Sequence, residues 1–124
     1  MIKRIINIDD YWKVIVYYNV DYNLFSIIDF SLNRLGCNDK EIEAIYNNMK
    51  YSGAKAVTIS SINKLKSVVL FNKHNDYYDY INSIIHEAEH IKQSMLNAYN
   101  VSDYGEPPAY TVGYIATQLL MFLL

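Results

Sequence analysis

The first half of the chain changes its hydrophobic spacing from that of a strand to that of a helix. Residues 12–20 are rich in aromatic and β-branched side chains, which is typical of a strand. Residues 24–35 follow with helical spacing and are closed by Gly36, and Asn38 or Asp39 then caps a second helix to about residue 51. The first half is therefore predicted to be one strand followed by two helices.

The second half predicts a hairpin and two further helices. Residues 55–62 and 65–72 form strand-like runs separated by Asn63 and Lys64, which favours a hairpin. A long helix is expected from Asn75 or Asp76 to about residue 97, and a last helix from about residue 107 to 124, because proline suits a first turn. We therefore expect one α+β domain over residues 1–124, with a small antiparallel sheet packed against helices.

Composition narrows the class of protein further. A chain of 124 residues with 52% hydrophobic and 19% charged residues is expected to fold as a single domain. The formal net charge of -2 argues against a nucleic-acid partner. Cys37 is the single cysteine, so no intrachain disulfide forms and a reducing, cytoplasmic location is expected. Asp9 and Asp10 interrupt the segment that a signal peptide would need to be apolar.

The last 18 residues carry no charged side chain, so a membrane span has to be weighed. Polar residues, two leading prolines and the lack of a basic flank argue against a span. A buried helix is the better interpretation. The apolar end, residues 119–124, also suits a homo-oligomer interface.

One constellation carries chemistry: His86, Glu87 and His90 form an HExxH motif inside the long predicted helix. Residues four apart lie on one face of a helix, so both imidazoles can approach one ion at about 2.0–2.1 Å. A catalytic Zn²⁺ needs a third protein ligand and an open position. Glu106 follows His90 at the start of the next helix and is the natural candidate.

A helical wheel at about 100° per residue separates the predicted metal face from an apolar face. The competing interpretation is a solvated polar face on which two histidines align by chance. Glu87 and Glu89 flank the histidines at similar angles. The helical wheel therefore leaves open which of the two glutamates could act as a general base on a metal-bound water. The apolar side holds Ile81, Ile84, Ile85, Ala88, Ile91 and Met95. The polar side holds Asp79, Asn82, Ser83, His86, His90, Gln93, Ser94 and Asn97.

Four other side chains have a functional and a structural interpretation each. Tyr110 and Tyr114 lie one and two turns beyond Glu106, where a hydroxyl stabilises an oxyanion or the ring simply packs. His74 is either a substrate-side hydrogen-bond donor or an exposed loop residue. Asp103 either orients a ligating histidine or belongs to a turn.

With these residues the chain resembles the zincins, the HExxH metallopeptidases, and among them the gluzincins, whose third ligand is a glutamate on a following helix. The segment Glu106-Pro107-Pro108-Ala109 is similar to the glutamate-x-x-alanine pattern of small zincins of the ImmA/IrrE type. A looser similarity is to HExxH proteins of bacteriophages and mobile elements. The chain departs from the group at Tyr110, where many gluzincins have an acidic residue, and at Glu89, where glycine is common.

The resemblance implies a zinc-dependent metallopeptidase of narrow specificity towards a protein partner, which includes the possibility of a repressor as substrate. His86, His90 and Glu106 would bind Zn²⁺, Glu87 would be the general base, and residues 65–72 would be the strand edge that pairs with an extended peptide. The alternative is a non-catalytic zincin-like binding or assembly module. Two histidines and a carboxylate also suit iron(II), but such sites usually lie on a barrel that these few strands do not form.

Overall fold

The structure, a computed structural model, describes residues 1–103 and 105–121, except the side chains of residues 106–110. Four strands form one sheet in the order β1-β2-β4-β3, which confirms the α+β class. The strands are β1 (Ile2–Asn7), β2 (Lys13–Tyr18), β3 (Ala56–Ser61) and β4 (Lys66–Phe71). The helices are α1 (Phe25–Leu35), α2 (Asp39–Lys50), α3 (Tyr77–Tyr99) and α4 (Glu106–Leu120), and a 3-10 turn (Tyr22–Leu24) precedes α1.

The sheet is mixed, so the prediction of an antiparallel sheet is wrong for its central pair. β1 and β2 are antiparallel, as are β3 and β4, but β2 and β4 run parallel. The chain leaves β2, passes through α1, α2 and β3, and returns beside β2 in the same direction. Side chains of β2 and β4 are buried on both faces of the sheet, which is typical of central strands.

The first strand was not predicted from the sequence. β1 pairs only with β2 and forms one edge of the sheet. It carries Lys3 and Arg4, and of its six residues only Ile6 is buried. A strand at the edge of a sheet pairs on one side only and often carries charged residues. It therefore lacks the continuous apolar run by which a central strand is recognised in a sequence.

Helices cover both faces of the sheet. One face is covered by α1 and α2, with a core that includes Ile28, Leu32 and Leu70. The other face is covered by α3 and α4, with a core that includes Trp12 and Ile84. Burying each of the large aliphatic side chains contributes roughly 1.5–3 kcal/mol, so both layers are needed for stability.

The described part of α4 lies over β1 and β2. The guanidinium of Arg4 donates to the carbonyl of Gln118 at 2.9 Å, and the hydroxyl of Tyr18 donates to the carbonyl of Leu119 at 2.8 Å. These side-chain bonds reach carbonyls of the last turn of α4. α3 instead packs on β3 and β4, so the two helices cover different halves of this face.

The apolar C-terminal end is partly internal. Leu119 is buried in the core beneath α4, so at this position the predicted subunit surface is wrong. Residues 122–124 lie outside the described residues, and the homo-oligomer stays a prediction. Within residues 1–103 and 105–121, no helix combines the length and the apolar character that crossing a membrane requires.

Candidate metal centre

α3 holds the HExxH motif in its middle, as predicted. The carboxylate of Asp76 accepts a hydrogen bond from the amide of Tyr78 and caps the first turn, and Asn100 ends the helix in a left-handed conformation. The motif therefore lies several turns from either end. Its side chains project from a rigid segment of backbone.

The two histidines lie side by side, at hydrogen-bond distance from each other. Nε2 of His86 and Nε2 of His90 are 3.2 Å apart, and both side chains are exposed. Two nitrogens bound to one tetrahedral Zn²⁺ at ordinary bond lengths are about 3.3 Å apart. The separation of the two nitrogens therefore matches that of two ligands of one zinc ion, and it is also that of a hydrogen bond between the rings.

The structure distinguishes Glu87 from Glu89, which the helical wheel did not. Glu87 has 4% of its surface exposed, and its Oε1 accepts a hydrogen bond from the hydroxyl of Thr58 in β3 at 3.0 Å. Glu89 points elsewhere, because its carboxylate pairs with Lys92 at 2.7 Å. Of the two glutamates, Glu87 is therefore the one that contacts the sheet beside the histidines.

A cleft of about 350 Å³ separates α3 from the edge strand β3. Thr58 lies on the α3 side of β3, because it pairs with Val69, whose side chain belongs to the core under α3. The cleft brings the two histidines and Glu87 beside an open strand edge. Its lining residues are Lys55, Ala56, Val57, Thr58, Asn82, Ser83, His86, Glu87 and His90.

The third predicted ligand is not among the described side chains. α4 begins at Glu106, but the side chains of Glu106 and Tyr110 lie outside the described residues. Among the side chains that are described, no group of three His, Cys, Asp or Glu residues is placed to hold a metal ion. The structure thus provides two imidazole donors, and the carboxylate donor stays a prediction.

Tyr114 does not join the histidines in the structure. It is exposed and lines a separate hollow with Asp9, Met95 and Thr111. That hollow lies beside the turn that joins β1 to β2. The structure therefore places Tyr114 with the β1–β2 half of the molecule.

His74 differs from both interpretations of the sequence. It is half-buried, and its Nδ1 is 2.7 Å from the carbonyl oxygen of Asn72. Because a carbonyl only accepts, Nδ1 carries the proton, and in the neutral ring Nε2 accepts from the hydroxyl of Ser83 at 2.8 Å. His74 is therefore neither an exposed loop residue nor a donor to a substrate in this arrangement. It ties the turn before α3 to the lining of the cleft.

The wheel also misplaced two positions on α3. Ser83 was assigned to the polar side but is buried, and Ile85 was assigned to the apolar side but is half exposed. Ser83 faces inward because His74 supplies a hydrogen-bond partner there. A wheel contains only the helix itself and does not show which flank a neighbouring element covers.

Asp103 does not orient a ligating histidine. Its carboxylate is 2.8 Å from Nζ of Lys92, whose side chain is largely buried. Hydrogen bonds to Asp103 and then to Glu89 raise the pKa of Lys92 above its ordinary value. The pair holds the segment between α3 and α4 against α3.

Thr58 and Lys92 are the two residues of this region that sequence reasoning missed. Thr58 could have been found, because Thr58 and Ser60 alternate with the apolar Val57 and Ile59, so the two hydroxyls share one face of β3. Lys92 gave no signal, since its burial depends on the segment that follows α3.

Comparisons of the chain with protein-family models, with curated proteins and with solved structures found no match. The resemblance to zincins therefore rests on the HExxH motif and on Glu106 in the sequence.

Proposed function

We propose that this protein is a zinc-dependent peptidase of narrow specificity that acts on a protein partner. His86, His90 and Glu106 are its zinc ligands, and Glu87 is its general base. The observation that carries the proposal is the 3.2 Å separation of the two Nε2 atoms beside the buried carboxylate of Glu87. A solvated face with two chance histidines does not require a buried glutamate next to them.

The residues divide the chemistry between them. When bound, Zn²⁺ would lower the pKa of water towards neutrality and polarise the carbonyl of the peptide bond. Glu87 takes the proton of the attacking water and delivers it to the leaving nitrogen. Thr58 holds one oxygen of Glu87, which leaves the other oxygen available for the proton.

The strand that would bind the substrate is β3 and not residues 65–72 as predicted. β4 lies between β2 and β3, so its backbone groups are already paired on both sides. β3 forms the edge of the sheet and borders the cleft. An extended peptide that pairs with β3 would pass the two histidines, and its backbone hydrogen bonds would supply affinity.

The central test replaces Glu87 by glutamine, which keeps the size of the side chain and removes its basicity. Zinc-loaded wild-type protein is expected to cleave members of a peptide library. Glu87→Gln is expected to lose about 10²–10⁴-fold in rate and to retain zinc. Glu89→Gln is the matched control and should keep most of the activity, because Glu89 pairs with Lys92 outside the cleft. Equal cleavage by the Glu87→Gln variant contradicts the mechanism.

The second candidate is a non-catalytic zincin-like binding module. The observation in its favour is that Nε2 of His86 and Nε2 of His90 lie at hydrogen-bond distance from each other, a contact that needs no metal. Metal content and melting temperature separate the two candidates. One zinc per chain with a labile water ligand supports the peptidase. Protein that contains no metal and whose melting temperature does not change with chelator supports the module.

A further inference from the structure

The cleft continues past the histidines into a second hollow of about 290 Å³. The two hollows share Thr58 and His90, so they are parts of one groove between β3 and α3. The remaining lining of the second hollow is uncharged and polar. We call this set the polar arm, and it consists of Ser60, Gln93, Ser94 and Asn97.

A buried chain of hydrogen bonds fixes the direction of the Ser60 hydroxyl. Nε1 of Trp12 donates to Oγ of Ser67 at 3.1 Å, and Oγ of Ser67 is 2.7 Å from Oγ of Ser60. Ser67 is fully buried, so its own proton needs an acceptor, and Ser60 is the acceptor within reach among residues 1–103 and 105–121. Ser60 therefore accepts from Ser67 and has its own proton left to donate into the polar arm.

The opposite wall of the polar arm offers both donors and acceptors. Asn97 and Gln93 are exposed carboxamides on α3, and Ser94 lies between them. A ligand carboxamide matches this arrangement, because its oxygen accepts from Ser60 while its amino group donates to the side-chain oxygens of α3. A carboxylate only accepts and meets no cation in the polar arm, and an aliphatic side chain leaves the donor of Ser60 unpaired.

We propose that the polar arm is a subsite for an asparagine or glutamine side chain of a bound peptide, close to the peptide bond that lies at the proposed zinc site of His86 and His90. The cleavage of that bond rests on the proposed function. Recognition of the carboxamide rests only on the groove and on the Trp12–Ser67–Ser60 chain. The two ideas therefore fail separately.

The test is an NMR titration of the full chain with three alanine-based hexapeptides that carry one central Gln, Glu or Leu. Their side chains are similar in size, and NMR detects millimolar binding. The Gln peptide is expected to bind at least about fivefold more tightly than the other two, with shifts at Ser60 and Asn97. Ser60→Ala should reduce this ratio to about one. Ser61→Ala, the same change on the opposite face of β3, should leave the ratio unchanged.

Ser60→Ala leaves the buried Ser67 hydroxyl without its acceptor and can therefore lower the stability of the fold. A second variant, at a position without this problem, keeps the test decisive. Asn97→Ala changes an exposed residue of α3 and is expected to lower the ratio at least twofold. The proposal is overturned if no peptide binds, if the three peptides bind equally, or if both variants keep the wild-type ratio. A Gln preference without any cleavage of the peptide library supports the subsite and rejects the peptidase.

Discussion

The two faces of the sheet bury different kinds of side chain. Under α1 and α2 the core is apolar apart from a hydroxyl pair formed by Tyr17 and Ser31. Under and beside α3 the buried polar residues Ser67, Ser83, Glu87 and Lys92 each have a partner, whereas the buried hydroxyl of Tyr80 has none among the described residues.

This difference separates stability from chemistry. A buried polar group costs free energy unless it is hydrogen-bonded, so an accumulation of such groups on one face needs an explanation. On the α3 face, Ser83 and Glu87 line the cleft directly, and Ser67 supports Ser60 in the same groove. Both faces therefore contribute a stabilising core, and the α3 face in addition bears the candidate site.

The largest effect is expected from a cavity in the apolar face. Ile28 is fully buried under α1, and Ile28→Ala is expected to lower the free energy of unfolding by about 2–5 kcal/mol. Urea denaturation measures this loss. The zinc affinity of the folded variant should equal that of the wild type. A fall in zinc affinity would show that the two faces are coupled.

The next effect concerns the metal face. His86→Ala removes one of the two neighbouring nitrogens and is expected to weaken zinc binding by about 100-fold or more. Loss of a residue that only hydrogen-bonds to a metal ligand lowers metal affinity by about 10–100-fold, and loss of the ligand itself should cost more. Competition with a chromophoric chelator measures the affinity. His74→Gln is the control, since His74 binds Asn72 and Ser83, and it should stay near wild type. Similar losses in both variants would contradict the assignment.

A smaller effect is expected from the buried hydroxyl pair of Tyr17 and Ser31 on the apolar face. Tyr17→Phe or Ser31→Ala alone leaves one buried hydroxyl without its partner and should cost about 1–3 kcal/mol. The double variant removes both hydroxyls, so its loss should be clearly below the sum of the two single losses. A double-mutant cycle by urea denaturation tests this. Additive losses would mean that the pair does not interact.

The smallest effect is a pH dependence at the α3 face. Burial, followed by the hydrogen bond to Asp9, raises the pKa of Tyr99 to about 12. The unfolded tyrosine titrates near pH 10, so the unfolded state loses this proton first and stability falls as pH rises from about 10 to 12. Between pH 8 and pH 11, the urea midpoint of Tyr99→Phe should decrease less steeply with pH than that of the wild type. Tyr78→Phe, which changes an exposed ring, is the control. Equal slopes in all three proteins would refute the assignment.

Local signals predicted most of the elements. Gly36 ends α1 at a φ of 115°, where glycine avoids the strain of a side chain, and Asn38 with Glu41 forms the capping box of α2. The convergence of His86 and His90 also follows from local geometry, because a spacing of four residues on a helix places them one turn apart. Such features depend only on residues that are close in the sequence, so they can be predicted from the sequence.

The parts that were missed depend on distant neighbours. β1 carries little apolar pattern of its own, and its pairing with β2 shows only in the folded sheet. The parallel pairing of β2 and β4 makes β3 the edge strand, which no local pattern specifies. Thr58 reaches Glu87 across 29 positions of the chain, so the contact that distinguishes Glu87 from Glu89 shows only in the folded structure.

The sequence by itself determined the helices, the class of the fold and the pair of imidazoles on one helical face, because backbone periodicity and capping act within a few residues. Tertiary structure decided which strand is open, which glutamate is buried beside the histidines and which hydroxyl faces the groove. These are outcomes of packing between elements far apart in sequence, where burial and hydrogen-bond satisfaction depend on the whole chain.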